Sequence, residues 1–132
     1  MMKFMSRGFL LLSFSIVLYI LAVIPPIGLS IEGTVMVLKL HHIAGFFVHT
    51  ILASLYLRAK GGGKGSWLVA AGISFALGAL IEFTQVFLPY RTGQMVDLIQ
   101  NLIGIGLGQG FFHFARVRGW VKEAEKRLGE GG

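Results

Sequence analysis

Residues Glu82 to Gly108 read EFTQVFLPYRTGQMVDLIQNLIGIGLG, which holds the end of one apolar segment, a short turn and most of a second apolar segment. The first segment carries Glu82 and Gln85 near its end, and the second carries Asp97 and Asn101 near its start. Carboxylates are costly inside apolar segments of helix length, and where they occur they usually mark a functional site. The stretch therefore predicts two neighbouring helices with a polar site between them.

The composition of the whole chain is that of a membrane protein. Of its 132 residues, 55% are hydrophobic and 14% are charged. Four apolar runs are each about long enough to cross a bilayer as a helix. They cover residues 9–27, 40–57, 67–88 and 95–115. We therefore predict an all-α membrane protein, with a four-helix transmembrane bundle in residues 1–116 and a basic cytoplasmic tail in residues 117–132.

The first run is preceded by Lys3 and Arg7, as the apolar part of a signal peptide would be. However, Pro25 and Pro26 close the run, and no small-residue cleavage site follows it. We therefore expect a retained membrane anchor. The chain has no cysteine, so its chemistry includes neither a disulfide nor a thiolate nucleophile.

Basic residues are distributed unevenly between the two ends of the predicted bundle. They concentrate near the N-terminus, in the loop at residues 58–66 and in the C-terminal tail, with Lys39 and Arg91 as the exceptions. The positive-inside rule makes these regions and both termini cytoplasmic. The loop at residues 28–39 and the turn at residues 89–94 then face outward. Because topology accounts for the net charge of +6, we expect no nucleic-acid partner.

Helical spacing predicts that the polar residues of the third and fourth runs face one another. Glu82 and Gln85 are three residues apart and share a helix face, with Gly78 one turn deeper. Asp97 and Asn101 are four residues apart on the fourth run. A short turn makes the two helices antiparallel neighbours. Since each residue rises about 1.5 Å, Glu82 lies about 9 Å inward from Leu88 and Asn101 about 9 Å inward from Met95, so the two pairs should meet at the same depth.

Small residues continue the polar stripe of the fourth run. Gly104 and Gly108 follow Asn101 at spacings of three and four, and Gly106 and Gly110 form a second small-residue face. Such faces allow membrane helices to approach closely. We predict helix packing at Gly104 and Gly108, and also at Gly78 on the third run.

The second run adds basic and histidine side chains. Lys39 and His42 stand at its outer end, and His49 lies on the His42 stripe about 10 Å further inward. His49 either completes a cluster with Glu82 and Asp97 or is a packed histidine that hydrogen-bonds a neighbouring helix.

Three spaced motifs, K-x-x-H, E-x-x-Q-x-x-x-P-x-R and D-x-x-x-N-x-x-G-x-x-x-G, occur in this order between about residues 38 and 112. Their residues are Lys39, His42, Glu82, Gln85, Pro89, Arg91, Asp97, Asn101, Gly104 and Gly108. This pattern resembles the VanZ-like family of small multi-pass membrane proteins. Two positions depart from the family pattern. Leu38 stands where the family usually has an acidic residue, and Phe46 stands where it usually has a tyrosine. The resemblance implies a cell-envelope protein, and the family's namesake is associated with resistance to the glycopeptide teicoplanin.

The polar residues predict a ligand-binding pocket that opens toward the outer leaflet. Its expected members are Lys39, His42, Glu82, Gln85, Arg91, Asp97 and Asn101. The basic side chains and His42 could hold an anion while Gln85 and Asn101 donate hydrogen bonds. Such a pocket suits a membrane lipid with an anionic head, either polyprenyl-linked or a phospholipid, or a glycopeptide-related target. We expect no cofactor, and an oligomer is compatible with this interpretation.

Two alternatives stay open. In the first, Glu82 and Asp97 are the acid and base of an intramembrane hydrolase or transferase for a lipid-linked substrate. The chain has no Ser-His-Asp order and no H-E-x-x-H motif, which favours binding over catalysis. A zinc or manganese ion on His42, His49, Glu82 and Asp97 is a weaker variant, and we predict no metal. In the second, the polar residues form a structural lock between helices without a ligand.

Overall fold

The computed structural model describes residues 2–24, 31–90 and 95–130. Its helices are α1 (Met2–Val23), α2 (Ile31–Ala59), α3 (Ser66–Val86), α4 (Met95–Val117) and α5 (Trp120–Glu130). No strand occurs within the described ranges. The prediction of an all-α fold with four major helices is therefore confirmed, and α5 lies in the predicted tail.

The larger part of the predicted outer loop at residues 28–39 is helical, because α2 already begins at Ile31, although its apolar segment begins at Leu40. Glu32 and Lys39 lower the local hydropathy, which ends an apolar window but does not break a helix. The predicted end of the first run at residue 27 is also late, since α1 ends at Val23. Pro25 and Pro26 lie outside the described residues.

Within the described residues, three helices are long and apolar enough to cross a membrane. These segments are Ser6–Val23, Leu40–Ala59 and Ser66–Val86. α4 has 23 residues, which is also long enough, but Asp97, Asn101 and Gln109 lower its hydropathy. The chain is thus a multi-pass membrane protein.

α2 and α3 form the central pair of the bundle. α1 packs against both of them, and so does α4, while α5 contacts α4. The surface is largely apolar, and the interior holds polar side chains as well as an apolar core. Phe9, Phe83 and Leu107 are among the exposed side chains. His49, Thr50, Ser74, Gln85 and Asn101 are among the fully buried ones. Membrane helices pack in this way, because lipid solvates apolar side chains and polar groups find partners inside.

Two glycines allow α4 to lie directly on the backbone of α2. A Cβ atom at Gly104 would collide with the carbonyl oxygen of Ile43, and one at Gly108 would lie 2.7 Å from that of Phe47. Both residue numbers rise together along this contact, so α2 and α4 are parallel. The close approach positions the first turns of α4 beside His42.

Of the other glycines predicted to lie at helix contacts, Gly78 is packed against a neighbouring helix and Gly106 and Gly110 are not. A Cβ at Gly78 would lie 3.0 Å from the Nδ2 atom of Asn101, so α3 is also close to α4 there. Nothing lies within 4 Å of a Cβ at Gly106 or Gly110. The second small-residue face of α4 is therefore not covered by another described helix.

Candidate functional site

One histidine and two carboxylates from three different helices meet at one end of the bundle. Ligand atoms of His42 on α2, Glu82 on α3 and Asp97 on α4 all lie within 4.8 Å of one another. His42 is buried, and the two acids are half-buried. We call these three residues the acid–histidine cluster.

The local geometry of α3 and α4 explains why the two acids meet. Glu82 lies in the last turns of α3, and Asp97 lies in the first turn of α4. In two antiparallel helices, moving one turn inward from each acid reaches Gly78 and Asn101, which are also in contact. The α4 dipole stabilises a negative charge at Asp97, since the N-terminal end of a helix is its positive end.

Asn101 fixes the orientation of the His42 ring. The Nδ1 atom of His42 lies 2.8 Å from the Oδ1 atom of Asn101. Because an amide oxygen only accepts, Nδ1–H is the donor, and Nε2 is the ring nitrogen that Asn101 does not use. Asn101 is fully buried, and its Nδ2 atom has no hydrogen-bond partner among the described residues. Asn101 therefore combines a positioning contact with an amide donor that a ligand could use.

Gln85 is turned toward α1. Its Nε2 atom donates a 2.9 Å hydrogen bond to the carbonyl oxygen of Ala22, and the hydroxyl of Tyr90 donates to that of Val23 at 2.7 Å. These carbonyls belong to the last turn of α1. The carbonyl groups of a helix's last turn have no hydrogen-bond donor within the helix. Gln85 thus ties the end of α1 to α3, beside the acid–histidine cluster.

The two predicted cations are described only in part. Lys39 lies in α2, one turn before His42, and only its backbone is described. Arg91 lies outside the described residues. Of the two departures from the family pattern, Leu38 is described only by its backbone. Phe46 is a buried core residue, with its ring 3.4 Å from the position of a Cβ at Gly78.

The family model described as VanZ/LLP1 matches residues 3–116. The chain belongs to the VanZ/LLP1 family. The match runs from α1 to the last turn of α4 and includes the acid–histidine cluster, while α5 lies beyond it. The resemblance expected from the spaced motifs is confirmed. No curated protein and no solved structure matches the chain.

In this VanZ/LLP1 protein, His49 is a packed histidine. Its Nε2 atom lies 2.8 Å from the hydroxyl of Ser15 on α1, and its Nδ1 atom lies 2.8 Å from the hydroxyl of Ser74 on α3. Ser15 in turn donates to the carbonyl oxygen of Leu11 at 2.7 Å. Both ring nitrogens are used, so His49 links three helices and does not join the acid–histidine cluster.

Hydroxyl residues that the sequence interpretation missed complete the polar interior. Besides Ser15 and Ser74, the amide nitrogen of Gln109 donates to the hydroxyls of Thr50 at 2.8 Å and Ser54 at 3.1 Å. The sequence held a signal for these residues, because Thr50 and Ser54 are four residues apart and so share one face of an apolar helix. Ser and Thr also hydrogen-bond their own helix, as Ser54 does with the Thr50 carbonyl, so the signal is weak.

The acid–histidine cluster could also hold a divalent metal ion. Imidazole and carboxylate ligands suit zinc or manganese, and three protein ligands leave a position for water or substrate. The hydrogen bond from His42 to Asn101 is the outer-shell contact that a metal-binding histidine usually makes. His49, the fourth predicted metal candidate, is bonded elsewhere.

Proposed function

We propose that this VanZ/LLP1 protein binds and handles an anionic envelope lipid, or a glycopeptide-related target, at an outward-facing pocket built around the acid–histidine cluster. One observation carries the proposal. Titratable side chains from α2, α3 and α4 converge within 4.8 Å, at the ends of helices whose outer surfaces are apolar. Such an arrangement favours a ligand whose polar head enters the bundle while its apolar part stays in the lipid.

The chemistry of the cluster indicates what the head group must carry. Carboxylates accept hydrogen bonds, so Glu82 and Asp97 suit hydroxyl or amine groups, such as those of a sugar or a glycerol head. The buried Nδ2 atom of Asn101 supplies a donor. Lys39 and Arg91 are the proposed partners of the phosphate or carboxylate. A polyprenyl-linked glycolipid and an anionic phospholipid both have this combination of groups.

We also propose that α4 is the fourth membrane span and that both termini are cytoplasmic. The contacts of Gly104 and Gly108 with α2 support insertion of α4 alongside the three apolar spans. Arg58, Lys64 and Arg116 line one cavity at the other end of the bundle, about 24 Å along α2 from His42. The positive-inside rule assigns that end to the cytoplasm, and the acid–histidine cluster then faces outward.

Native mass spectrometry of the gently purified protein tests the proposed binding. We expect Arg91→Ala to carry one lipid-mass adduct fewer than the parent protein, and Arg127→Ala, which removes the same charge from α5, to carry as many as the parent. In cells, Arg91→Ala should also remove any change in teicoplanin susceptibility that the parent confers. A parent protein without an adduct, or an Arg91→Ala protein with as many adducts as the parent, would contradict the proposal.

A second candidate function is an intramembrane acid–base hydrolase or transferase for a lipid-linked substrate. The composition of the cluster supports it, because an imidazole and two carboxylates with ligand atoms within 4.8 Å of one another are groups that can exchange protons with a substrate. Turnover of a lipid-linked phosphate ester by the purified protein would support this candidate, provided that His42→Asn abolishes it. Loss of turnover on treatment with a chelator, and its return with zinc or manganese, would assign a metal to the cluster.

A further inference from the structure

A second cavity lies at the opposite end of the bundle from the acid–histidine cluster. It has a volume of about 330 Å³ and lies where α2 ends, α3 begins and α4 ends. Its lining includes Arg58, Lys64, Trp67, Gln109, Phe112 and Arg116. We call it the basic cavity. The ligand proposed for the acid–histidine cluster does not contact it.

The rim of the basic cavity concentrates positive charge from separate elements. Arg58 lies in the last turn of α2, Arg116 lies in the last turn of α4, and Lys64 lies in the loop between α2 and α3. An adjoining, more open depression adds Lys122 of α5. None of the described residues that line either space is acidic. The cavity therefore favours an anion, and arginine matches a phosphate group with two parallel hydrogen bonds.

The walls of the basic cavity are apolar on the side of the lipid. Phe112 is buried, and Trp67 is half exposed in the first turn of α3. Leu68 and Val69, which follow Trp67, are also exposed. Tryptophan is enriched at the level of the head groups, where one side of its ring meets acyl chains. A molecule in this cavity would thus contact cations on one side and lipid chains on the other.

The floor of the basic cavity is polar and fixed. The Gln109 amide nitrogen donates to the hydroxyls of Thr50 and Ser54, which uses both of its hydrogens. The amide oxygen of Gln109 is then the atom available to a ligand, and it accepts only. A head group that has hydroxyls as well as a phosphate satisfies this floor and the basic rim together.

We propose that the basic cavity binds the phosphodiester head of an anionic phospholipid from the cytoplasmic leaflet, with a head-group hydroxyl on Gln109. Basic residues at helix ends also set the topology of membrane proteins, and topology needs only their charge. A binding site needs the charges at particular positions around the cavity. If the basic residues only set the topology, removing one positive charge should weaken lipid binding equally at any position. If they form a binding site, removing a charge at the cavity should weaken binding more than removing one elsewhere.

Tryptophan fluorescence measures this binding directly. The chain has two tryptophans, so a Trp120→Phe background leaves Trp67 as the only reporter. Short-chain phosphatidylglycerol, added to the full-length protein in a neutral detergent, should change the Trp67 emission saturably, whereas short-chain phosphatidylcholine should not. Each basic residue near an anionic lipid surface changes the binding affinity by about fivefold. Arg116→Gln and Lys64→Gln should each weaken binding by about that factor.

Arg127→Gln is the matched control, because it removes the same charge from α5, where Arg127 is paired with Glu123 at 3.4 Å. Equal weakening by Arg127→Gln and Arg116→Gln would overturn the proposal in favour of net charge alone. Full competition by inorganic phosphate at the same concentration would overturn it in favour of a soluble anion, as would the absence of any saturable change. If Arg116→Gln loses its helical signal, Lys64→Gln in the loop decides the result.

The binding inferred here does not depend on the ligand proposed for the acid–histidine cluster, and only its assignment to the cytoplasmic leaflet rests on the proposed orientation. Glu82→Gln should leave the phosphatidylglycerol titration unchanged, because Glu82 lies at the other end of the bundle. A Glu82→Gln protein with weakened binding at Trp67 would show that the two ends share one site, and the separate cavity would then be rejected.

Discussion

The Nδ1 atom of His42 lies 2.8 Å from the Oδ1 atom of Asn101, which joins α2 to α4 inside the bundle. Asn101 is completely buried, so losing this contact leaves a polar atom without its partner inside the bundle. The bond holds His42 beside Glu82 and Asp97. A single interhelical hydrogen bond therefore connects the stability of the bundle to the geometry of its candidate site.

A double-mutant cycle on this pair should give a coupling energy of about 0.6–1.7 kcal/mol, the range for interhelical hydrogen bonds in membranes. The measurement is the free energy of unfolding of His42→Ala, Asn101→Ala and the double variant. Gln100→Ala, one residue away on α4, is the control and should show no coupling with His42→Ala. A coupling energy near zero for His42 and Asn101 would mean that this bond does not hold the helices together.

Replacing each acid by the amide of the same shape distinguishes a ligand-binding pocket from a structural lock between helices. We expect Glu82→Gln and Asp97→Asn to insert and to melt at or above the parent temperature, because burying an amide costs less than burying a carboxylate. Both variants should nevertheless carry one lipid adduct fewer than the parent in native mass spectrometry. Glu123→Gln, an exposed acid on α5, should carry as many as the parent. Variants that fail to insert would instead favour the lock.

The glycines of α4 offer a comparison within one helix. Gly108→Ala should destabilise the bundle by about 1–3 kcal/mol, because the new methyl group meets the Phe47 carbonyl and the backbones must separate. Gly104→Ala should behave in the same way against Ile43. Gly106→Ala and Gly110→Ala have open space around the new Cβ and should be neutral or slightly stabilising. Thermal unfolding in detergent measures all four, and equal effects would mean that α4 is rotated from its described position.

The hydrogen bonds of His49 should matter for stability and not for binding. Ser74→Ala removes the partner of the buried Nδ1 atom, and we expect a loss of about 1 kcal/mol in the free energy of unfolding. The lipid adduct should persist, since His49 is not part of the acid–histidine cluster. Ser74→Cys, which keeps a weak donor, should lose less stability. An adduct lost in both variants would extend the site to this second histidine.

The convergence of the two acids was predictable because it depends on local geometry. Glu82 and Asp97 lie near the facing ends of two helices joined by a short turn, so their side chains were expected to lie close together. Counting residues from the turn placed Glu82 at the depth of Asn101, whereas the structure places it with Asp97. The start of α2 at Ile31 was not predicted, because a hydropathy window detects lipid contact and not helix formation. The hydrogen bond of Gln85 to Ala22 was not predictable either, since the spacing within α3 says nothing about where α1 ends.

The sequence by itself determined the membrane class, the four major helices, the family and the polar residues at one end of the bundle. These properties follow from composition and from periodicities within single helices. Only the tertiary structure decided that His42 joins the acids while His49 binds two serines, that Gln85 ties down α1 and that Gly104 rather than Gly106 meets α2. Such choices depend on how each helix is rotated about its axis, and that rotation is set by contacts between helices.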